Sequence, residues 1–359
     1  MYFGGSTWLN QQPTDLVVLQ YTDSYKCNVF GFNKDNINPI KLISLNDEFN
    51  NVSLIKNSVY LSEYKGYNKY GFKLSGKTLT QTSLNLPLPF IKKKHSLNGF
   101  LSTDVIKLGE FVLVRLRFIN PKLTNSITKS GFDVIAGPPR TPLTPIILDD
   151  NFVTMQWHYS PDKTKLYVSG HTSPIDNAAA YLYELSVVNN QIQVKTLLKR
   201  DHQYIEGLIA TDTDIYLLSP TALERNISAA EFELMTETVT RPNHAYQLCR
   251  YNFKTKKVTF LNKFKEELYI NTFYKNKNQL ILSDRNSVFI YDIATNQMIK
   301  SINRPYIRDM IVLNDYLYLN QRIVTPAGKS EHQLSIINLT NYDTIQTIQG
   351  RFGKFSLTM

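Results

Sequence analysis

Three tripeptides share the pattern of tyrosine, isoleucine and a polar residue, and they contain side chains that could hold a ligand. They are Tyr204-Ile205-Glu206, Tyr269-Ile270-Asn271 and Tyr306-Ile307-Arg308. A carboxylate, an amide and a guanidinium brought together could bind a small molecule or an ion. Lys354 ends a related segment, Arg351-Phe352-Gly353-Lys354, and would join them. The candidate ligand site is therefore Glu206, Asn271, Arg308 and Lys354, unless these polar groups only satisfy one another and water.

Histidines and basic residues form a second group of candidates. Five of the six histidines fall in or beside the long segments between apolar runs: His95, His171, His202, His244 and His332. No two have the spacing of a metal site, and we predict neither a metal ion nor a cofactor. Basic residues fall in the same segments, and with one histidine they form a candidate interaction face: Lys93, Arg117, His171, Arg225, Arg241 and Arg322. They could attract an anionic partner, or they could simply be solvated.

No catalytic motif accompanies these residues. The sequence contains no nucleophile elbow, phosphate-binding loop, dinucleotide fingerprint or zinc motif. Any site must therefore be assembled from distant parts of the chain, and the elements that carry the residues decide which of them meet.

The composition favours a folded, strand-rich protein. Of 359 residues, 42% are hydrophobic and 19% are charged, which argues against wholesale disorder. The 22 tyrosines and 19 phenylalanines suit half-buried strands. No apolar run approaches the roughly 18 residues of a membrane-spanning helix. The net charge of +10 is spread along the chain, which permits an anionic partner but does not indicate nucleic acid.

One pattern occurs seven times along the chain: an apolar run, a short polar turn, and a second apolar run often centred on tyrosine. The second runs are centred on Val17, Tyr60, Val112, Tyr167, Tyr216, Ile281 and Tyr318. A further hairpin follows each of them. Four antiparallel strands in a unit of about 50 residues are typical of a propeller blade. We therefore predict an all-β fold, a seven-bladed β-propeller in which residues 1–359 form a single domain with a flexible leader over 1–10.

The two ends of the chain predict how the ring closes. Residues 16–19 have the pattern of a second strand, with no first strand before them, whereas residues 354–358 form a surplus strand at the end. We expect this C-terminal strand to be the innermost strand of blade 1, because an unpaired edge would otherwise remain. First strands line the central channel of a propeller, so the candidate ligand site would lie at the channel mouth.

The longest segments between strands should share one face of the propeller, the face on which such folds usually bind ligands. These segments are 90–97, 115–131, 170–178, 220–244 and 321–331. Residues 220–244 are predicted to be a lid-like insertion with a short helix. Ser228 would cap this helix and Glu231 would complete a capping box.

Two segments resemble a known group of propellers. Residues 160–168, SPDKTKLYV, are similar to the turn of YVTN-type and TolB-type repeats, and residues 288–297, VFIYDIATNQ, resemble the outer hairpin of the YVTN repeat. The resemblance covers short stretches of two blades and implies a fold. It also permits a lactonase-like activity, because related folds include lactonases.

Two functions follow from these expectations. The first is a non-enzymatic binding or scaffold protein, a monomer, that recognises a protein, peptide or glycan through the long-loop face. The alternative is a lactonase-like or other small-molecule hydrolase with its site at the channel mouth.

Cys27 and Cys249 fall in blades 1 and 5, so we predict no disulfide. No signal peptide is visible, and we favour a bacterial periplasmic or surface location after signal removal over a cytoplasmic one.

Overall fold

The computed structural model describes most of the chain. The described residues are 15–22, 26–45, 49–55, 58–63, 69–75, 78–82, 100–119, 127–139, 141, 146–150, 152–172, 179–232, 246–264, 269–274, 278–284, 286–304, 306–324 and 328–357. Within them, the strands form seven four-stranded antiparallel sheets, numbered here in chain order.

The first four sheets contain these strands, in the order from first to fourth. Sheet 1 contains β28 (Arg351–Leu357), β1 (Leu16–Tyr21), β2 (Cys27–Asn33) and β3 (Asn36–Leu45). Sheet 2 contains β4 (Phe49–Ile55), β5 (Ser58–Glu63), β6 (Lys69–Ser75) and β7 (Thr78–Thr82). Sheet 3 contains β8 (Phe100–Leu108), β9 (Phe111–Ile119), β10 (Ile127–Ala136) and β11 (Ile146–Asp150). Sheet 4 contains β12 (Phe152–Tyr159), β13 (Lys165–Thr172), β14 (Ala179–Val188) and β15 (Gln191–Asp201).

The remaining three sheets follow the same plan. Sheet 5 contains β16 (Gly207–Ala210), β17 (Asp214–Ser219), β18 (Tyr246–Asn252) and β19 (Val258–Phe264). Sheet 6 contains β20 (Tyr269–Tyr274), β21 (Gln279–Ser283), β22 (Ser287–Asp292) and β23 (Gln297–Asn303). Sheet 7 contains β24 (Ile307–Leu313), β25 (Tyr316–Val324), β26 (Ser330–Asn338) and β27 (Thr344–Gln349).

The burial of the strands explains their sequences. Every residue of β17 and of β21 is buried, whereas the outer strand β19 is half-buried or exposed throughout. The second strand of a sheet is covered on both faces by neighbouring sheets, and its side chains are therefore mostly apolar. Tight turns join the strands, and in the turn before β15 both Asn189 and Asn190 have positive φ, of 50° and 56°. This is the conformation that two-residue hairpins of this kind require.

Apolar clusters join neighbouring sheets. Leu19 and Val29 of sheet 1 pack with Leu54 and Val59 of sheet 2. Other clusters join sheets 3 and 4, 4 and 5, 5 and 6, and 6 and 7. A further cluster places Phe32 of sheet 1 against sheet 7. The core therefore lies between the sheets, and no single sheet could bury its apolar surface alone.

Strand β28 pairs with β1 and lies between sheets 7 and 2. Val18 is opposite Phe355, and Val17 is opposite Ser356. Ser356 accepts a hydrogen bond through Oγ from the backbone N–H of Leu54, at 2.9 Å. The strand begins at Arg351 rather than at residue 354 as predicted, so the segment that was expected to lead into the strand is part of it.

Two further expectations concern helices and cysteines. In the part of the chain that the structure describes, no helix is long and apolar enough to cross a membrane. Cys27 lies in β2 and Cys249 in β18, so the two residues are in sheets 1 and 5 as the repeat pattern predicted.

Candidate functional site

Three arginines meet at the edge where sheets 7 and 1 adjoin. Arg308 is near the start of β24, Arg322 is near the end of β25, and Arg351 begins β28. Because neighbouring strands are antiparallel, the start of one strand lies beside the end of the next. His332 of β26 is directly opposite Arg322. These four residues are called the arginine cluster below.

The charges of the arginine cluster act on one another. Partial burial lowers the pKa of Arg308, and the positive charges of Arg351 and Arg322 lower it further. Burial also lowers the pKa of His332, as do all three arginines. Among the described residues, no carboxylate forms an ion pair with these arginines. Positive charge is therefore concentrated here, and no acid in the described part of the chain is paired with it.

Tyrosine rings hold two of the guanidinium groups. The guanidinium carbon of Arg322 is 5.9 Å from the ring centre of Tyr306, and that of Arg351 is 5.3 Å from the ring centre of Tyr21. Such cation–π contacts stabilise a guanidinium over the ring face. Tyr306 is 49% exposed and has a φ of 55°, an unusual backbone conformation for a bulky residue. Its carbonyl accepts a hydrogen bond from the N–H of Arg322, at 3.1 Å.

Polar atoms around the cluster are only partly satisfied. The Asn320 amide donates to the carbonyls of Phe352 and Gly353, at 2.8 and 3.1 Å, and so fixes the start of β28. In contrast, Oε1 of Gln321 and Nδ1 of His332 are buried with no hydrogen-bond partner in the described part of the chain. Unsatisfied buried polar atoms are uncommon in native proteins and call for an explanation, such as a water molecule or an ion.

Gly350 makes the turn into β28 possible. Its φ is 141°, and a β-carbon at this position would overlap the side-chain amide of Gln20. Its N–H donates to the carbonyl of His332 at 2.8 Å, which joins the turn to β26. The position of Arg351 therefore depends on a glycine immediately before it.

The insertion between β17 and β18 contains a helical turn in its described part. Residues 229–232 form a helical turn, and Oγ of Ser228 accepts the N–H of Glu231 at 3.2 Å. The Glu231 carboxylate binds the Arg225 guanidinium, with Nη1 at 3.0 Å, instead of completing a capping box. Phe232 is 1% exposed and packs with Tyr204, so the described part of the insertion packs against the segment that leads into β16. Residues 233–245 lie outside the described residues.

Two histidines border this insertion. The ring of His171 meets Tyr204 edge-on with centres 4.5 Å apart, and Tyr204 packs against Phe232 at 5.3 Å. The ring centre of His202 is 6.2 Å from that of Phe232. Burial lowers the pKa of His171 to about 4, so it is neutral at pH 7. The described residues contain no group of three side chains suited to hold a metal ion. This arrangement is aromatic packing.

The candidate ligand site is only partly described. Glu206 is half-buried, accepts the hydroxyl of Tyr246, and lies just before β16 instead of within it. The structure describes only the backbone of Asn271, in β20, and of Lys354, in β28. Arg308 lies in the arginine cluster. The meeting of all four residues at a channel mouth stays a prediction.

The side chains of three residues of the candidate interaction face are described, those of His171, Arg225 and Arg322. Lys93 and Arg241 lie outside the described residues, as do His95 and His244, and only the backbone of Arg117 is described. Arg225 is exposed but is already paired with Glu231. Arg322 belongs to the arginine cluster, and His171 belongs to the aromatic packing around Tyr204.

Several predicted loops were wrong in their extent, because the strands run further than expected. Arg117 lies in β9, His171 in β13 and Arg322 in β25. Only 120–126 separates β9 from β10, and only 325–329 separates β25 from β26. The polar residues in these stretches belong to alternating strand patterns, such as VRLRF at 114–118, in which every second residue is apolar. That alternation was the signal that would have located the strand ends.

Sequence reasoning also missed Arg351 as a site residue. The segment 351–354 was matched with the segment that ends in Arg308. Its last residue, Lys354, and not Arg351, was therefore predicted to lie beside Arg308. In the structure Tyr21 is opposite Arg351, and the pairing of β1 with β28 shifts between Val18 and Gln20. A β-bulge changes which side chains of a strand share a face, and it has no clear trace in the sequence.

Comparisons with known proteins identify the fold but not the role. No protein-family model and no curated protein match the sequence. The chain is similar in structure to a candidate 6-phosphogluconolactonase from Bacteroides uniformis, with a TM-score of 0.57, 10% identity, and coverage of 95% of this chain and 97% of that one. A candidate 6-phosphogluconolactonase from Bacteroides fragilis gives a TM-score of 0.55 and 11% identity over 97% and 98% of the two chains.

A third similar structure is a protein of unknown function from Desulfotomaculum acetoxidans, with a TM-score of 0.53 and 8% identity over 96% and 99% of the chains. At these identities the likeness concerns the fold alone. The resemblance to β-propellers that the repeats indicated is thereby confirmed.

Proposed function

We propose that this protein is a closed seven-bladed propeller that binds an acidic segment of a partner protein at the arginine cluster. The observation that carries the proposal is the grouping of Arg308, Arg322 and Arg351 with no acidic partner among the described residues. Carboxylates of a partner would supply the missing negative charge.

Closure of the ring is part of this proposal. The contacts of β28 with β24 on one side and with β4 on the other support it. So does the packing of Phe32 and Leu16 in sheet 1 against Tyr318 and Leu334 in sheet 7. Closure matters for binding because Arg351 is on β28 while Arg308 and Arg322 are on sheet 7. A ring that opened here would separate the arginines.

The chemistry of the cluster favours a protein partner. Guanidinium groups bind carboxylates through two parallel hydrogen bonds, which gives direction as well as charge. Arginine and tyrosine are also enriched at the energetic centres of protein interfaces, and here Arg322 and Arg351 lie against Tyr306 and Tyr21. The net charge of +10 would speed the approach of an acidic partner.

The test is a calorimetric titration of the protein with a decaglutamate peptide. A glycine-serine peptide of equal length is the neutral control, and a polyuronate of matched charge represents an acidic glycan. The proposal expects saturable, salt-sensitive binding of decaglutamate and none of the neutral peptide. Tighter binding of the polyuronate would assign the cluster to glycans, and no binding of either anion would contradict the proposal.

A hydrolase at the channel mouth is the second candidate. The observation that favours it is the half-buried carboxylate of Glu206, which accepts the Tyr246 hydroxyl. A hydrogen-bonded pair of this kind can move a proton. It ranks second because two of its other predicted residues, Asn271 and Lys354, are described only in their backbone.

A further inference from the structure

A cavity of about 420 Å³ lies between sheets 4 and 5. Its lining includes Tyr167 at the start of β13, Lys195 in β15 and Tyr251 at the end of β18. The arginine cluster, in contrast, is located where first strands begin and second strands end. The cavity is therefore at the opposite edge of the sheets, and its size is within the range of small-molecule sites.

Aromatic rings form one side of the cavity. Tyr167 and Phe253 stack with ring centres 5.4 Å apart and planes at 28°, and Tyr251 meets Phe253 edge-on at 6.2 Å. Tyr167 and Tyr251 are 3% and 2% exposed, so they support the wall from within. Phe253 is half-buried and can offer ring surface to a ligand. Planar groups bind to such surfaces by offset stacking.

Charged groups surround the aromatic side. The Lys165 ammonium is 3.0 Å from the Glu184 carboxylate, so these two charges compensate each other. Asp212 is the other acid of the lining. Lys195 and Lys256 come from different sheets, and neither forms an ion pair within the described chain. The lining thus carries three ammonium groups and two carboxylates, and this excess of positive charge favours an anion at the cavity.

We propose that this cavity binds a small molecule that joins a planar ring to an anionic group, such as an aryl phosphate or an aryl carboxylate. The ring stacks on Phe253, and the anionic group lies between Lys195 and Lys256. Neither the ring wall nor the lysines belong to the arginine cluster, so this site is independent of the function proposed above.

The probe is phenyl phosphate, titrated by calorimetry into the full-length protein. Inorganic phosphate carries the charge without the ring, and benzyl alcohol carries the ring without the charge. Each half-ligand should bind at least about tenfold more weakly than phenyl phosphate, because stacking and charge act together. Inorganic phosphate binding as tightly as phenyl phosphate would contradict the role of Phe253.

Lys254 and Lys256 provide a matched pair of variants, because both are exposed and both lie in the turn after β18. Only Lys256 lines the cavity. Lys256→Glu should weaken phenyl phosphate binding by about tenfold, and Lys254→Glu by less than about twofold. Equal effects of the two substitutions would overturn the proposal.

Two more variants locate the site. Phe253→Leu keeps apolar volume but removes the ring, and it should weaken phenyl phosphate without changing inorganic phosphate binding. Arg308→Gln/Arg351→Gln should leave phenyl phosphate binding at the cavity intact. Loss of that binding in the arginine variant would place the ligand at the other edge of the sheets and overturn the proposal.

Discussion

The backbone N–H of Phe355 donates a hydrogen bond to Oδ2 of Asp309, at a distance of 3.0 Å. This contact joins the last strand of the chain to the first strand of sheet 7. Oδ1 of the same carboxylate accepts the N–H of Met310, also at 3.0 Å. One side chain thus connects two sheets that are adjacent in space but belong to different units of the repeat.

Replacing Asp309 should weaken this junction. Asp309→Ala leaves the Phe355 N–H without its acceptor and should lower the free energy of unfolding by about 1–3 kcal/mol. Asp309→Asn keeps an oxygen acceptor and should lose less. Urea unfolding of both variants measures the difference. Wild-type stability in Asp309→Ala would mean that the contact does not support the junction.

Removal of residues 352–359 should destabilise the whole protein. It deletes most of β28, leaves an edge of β1 unpaired, and exposes the apolar groups that Phe352 covers in sheets 7 and 1. We expect a large fall in Tm or the loss of a cooperative transition, measured by circular dichroism. Removal of 358–359 alone is the control. A truncated protein with the wild-type Tm would refute closure by the C-terminal strand.

His171 should make stability depend on pH. Its pKa is lowered to about 4 by burial, while an unfolded chain has a histidine pKa of about 6.5. Below pH 6.5 the unfolded state binds a proton that the folded state does not, so stability falls between pH 6.5 and 4, by at most about 3 kcal/mol. His171→Phe keeps the ring contact with Tyr204 and removes this proton.

The measurement for His171 is the free energy of unfolding at pH 7 and pH 5. Wild type should lose more stability over this interval than His171→Phe. The other histidines are unchanged in the variant, so their contributions cancel in the comparison. Equal losses in the two proteins would show that His171 is not desolvated as the structure indicates.

Phe232 should anchor the insertion between β17 and β18. It packs with Tyr204, Ala222 and Ile227, and truncating a buried phenylalanine costs about 3–5 kcal/mol where the surroundings cannot collapse. Phe232→Ala should therefore speed tryptic cleavage after Arg225, measured by mass spectrometry. Phe232→Leu should be cleaved at nearly the wild-type rate. If both variants matched wild type, the anchor would lie elsewhere.

The repeat pattern located the second strands well. Val17, Tyr60, Val112, Tyr167, Tyr216, Ile281 and Tyr318 lie in β1, β5, β9, β13, β17, β21 and β25, each of which is second in its sheet. Where their side chains are described, the middle residues of these strands are mostly buried and form apolar runs that are easy to find. At the ends of the same strands polar residues alternate with apolar ones, and these ends were wrongly predicted to be loops.

The candidate sites depend on contacts between sheets, and no short stretch of the sequence predicts such contacts. Arg308 was predicted because it is the polar residue of a repeated tripeptide. Its neighbour Arg351 lies on β28, which is paired with β1 in sheet 1 and contacts β24 in sheet 7. The cavity lined by Lys195 and Lys256 exists only because two sheets pack at a particular distance. No local pattern in either sheet predicts such a gap.

The arginine cluster carries the proposed function, and the affinity for decaglutamate tests its role directly. The Kd of decaglutamate is measured for wild type, for Arg308→Gln/Arg351→Gln, and for Arg225→Gln, whose arginine is exposed but already paired with Glu231. The double variant should bind at least about tenfold more weakly, and Arg225→Gln within about twofold of wild type. Wild-type affinity in the double variant, or an equal loss in Arg225→Gln, would contradict the proposed binding site.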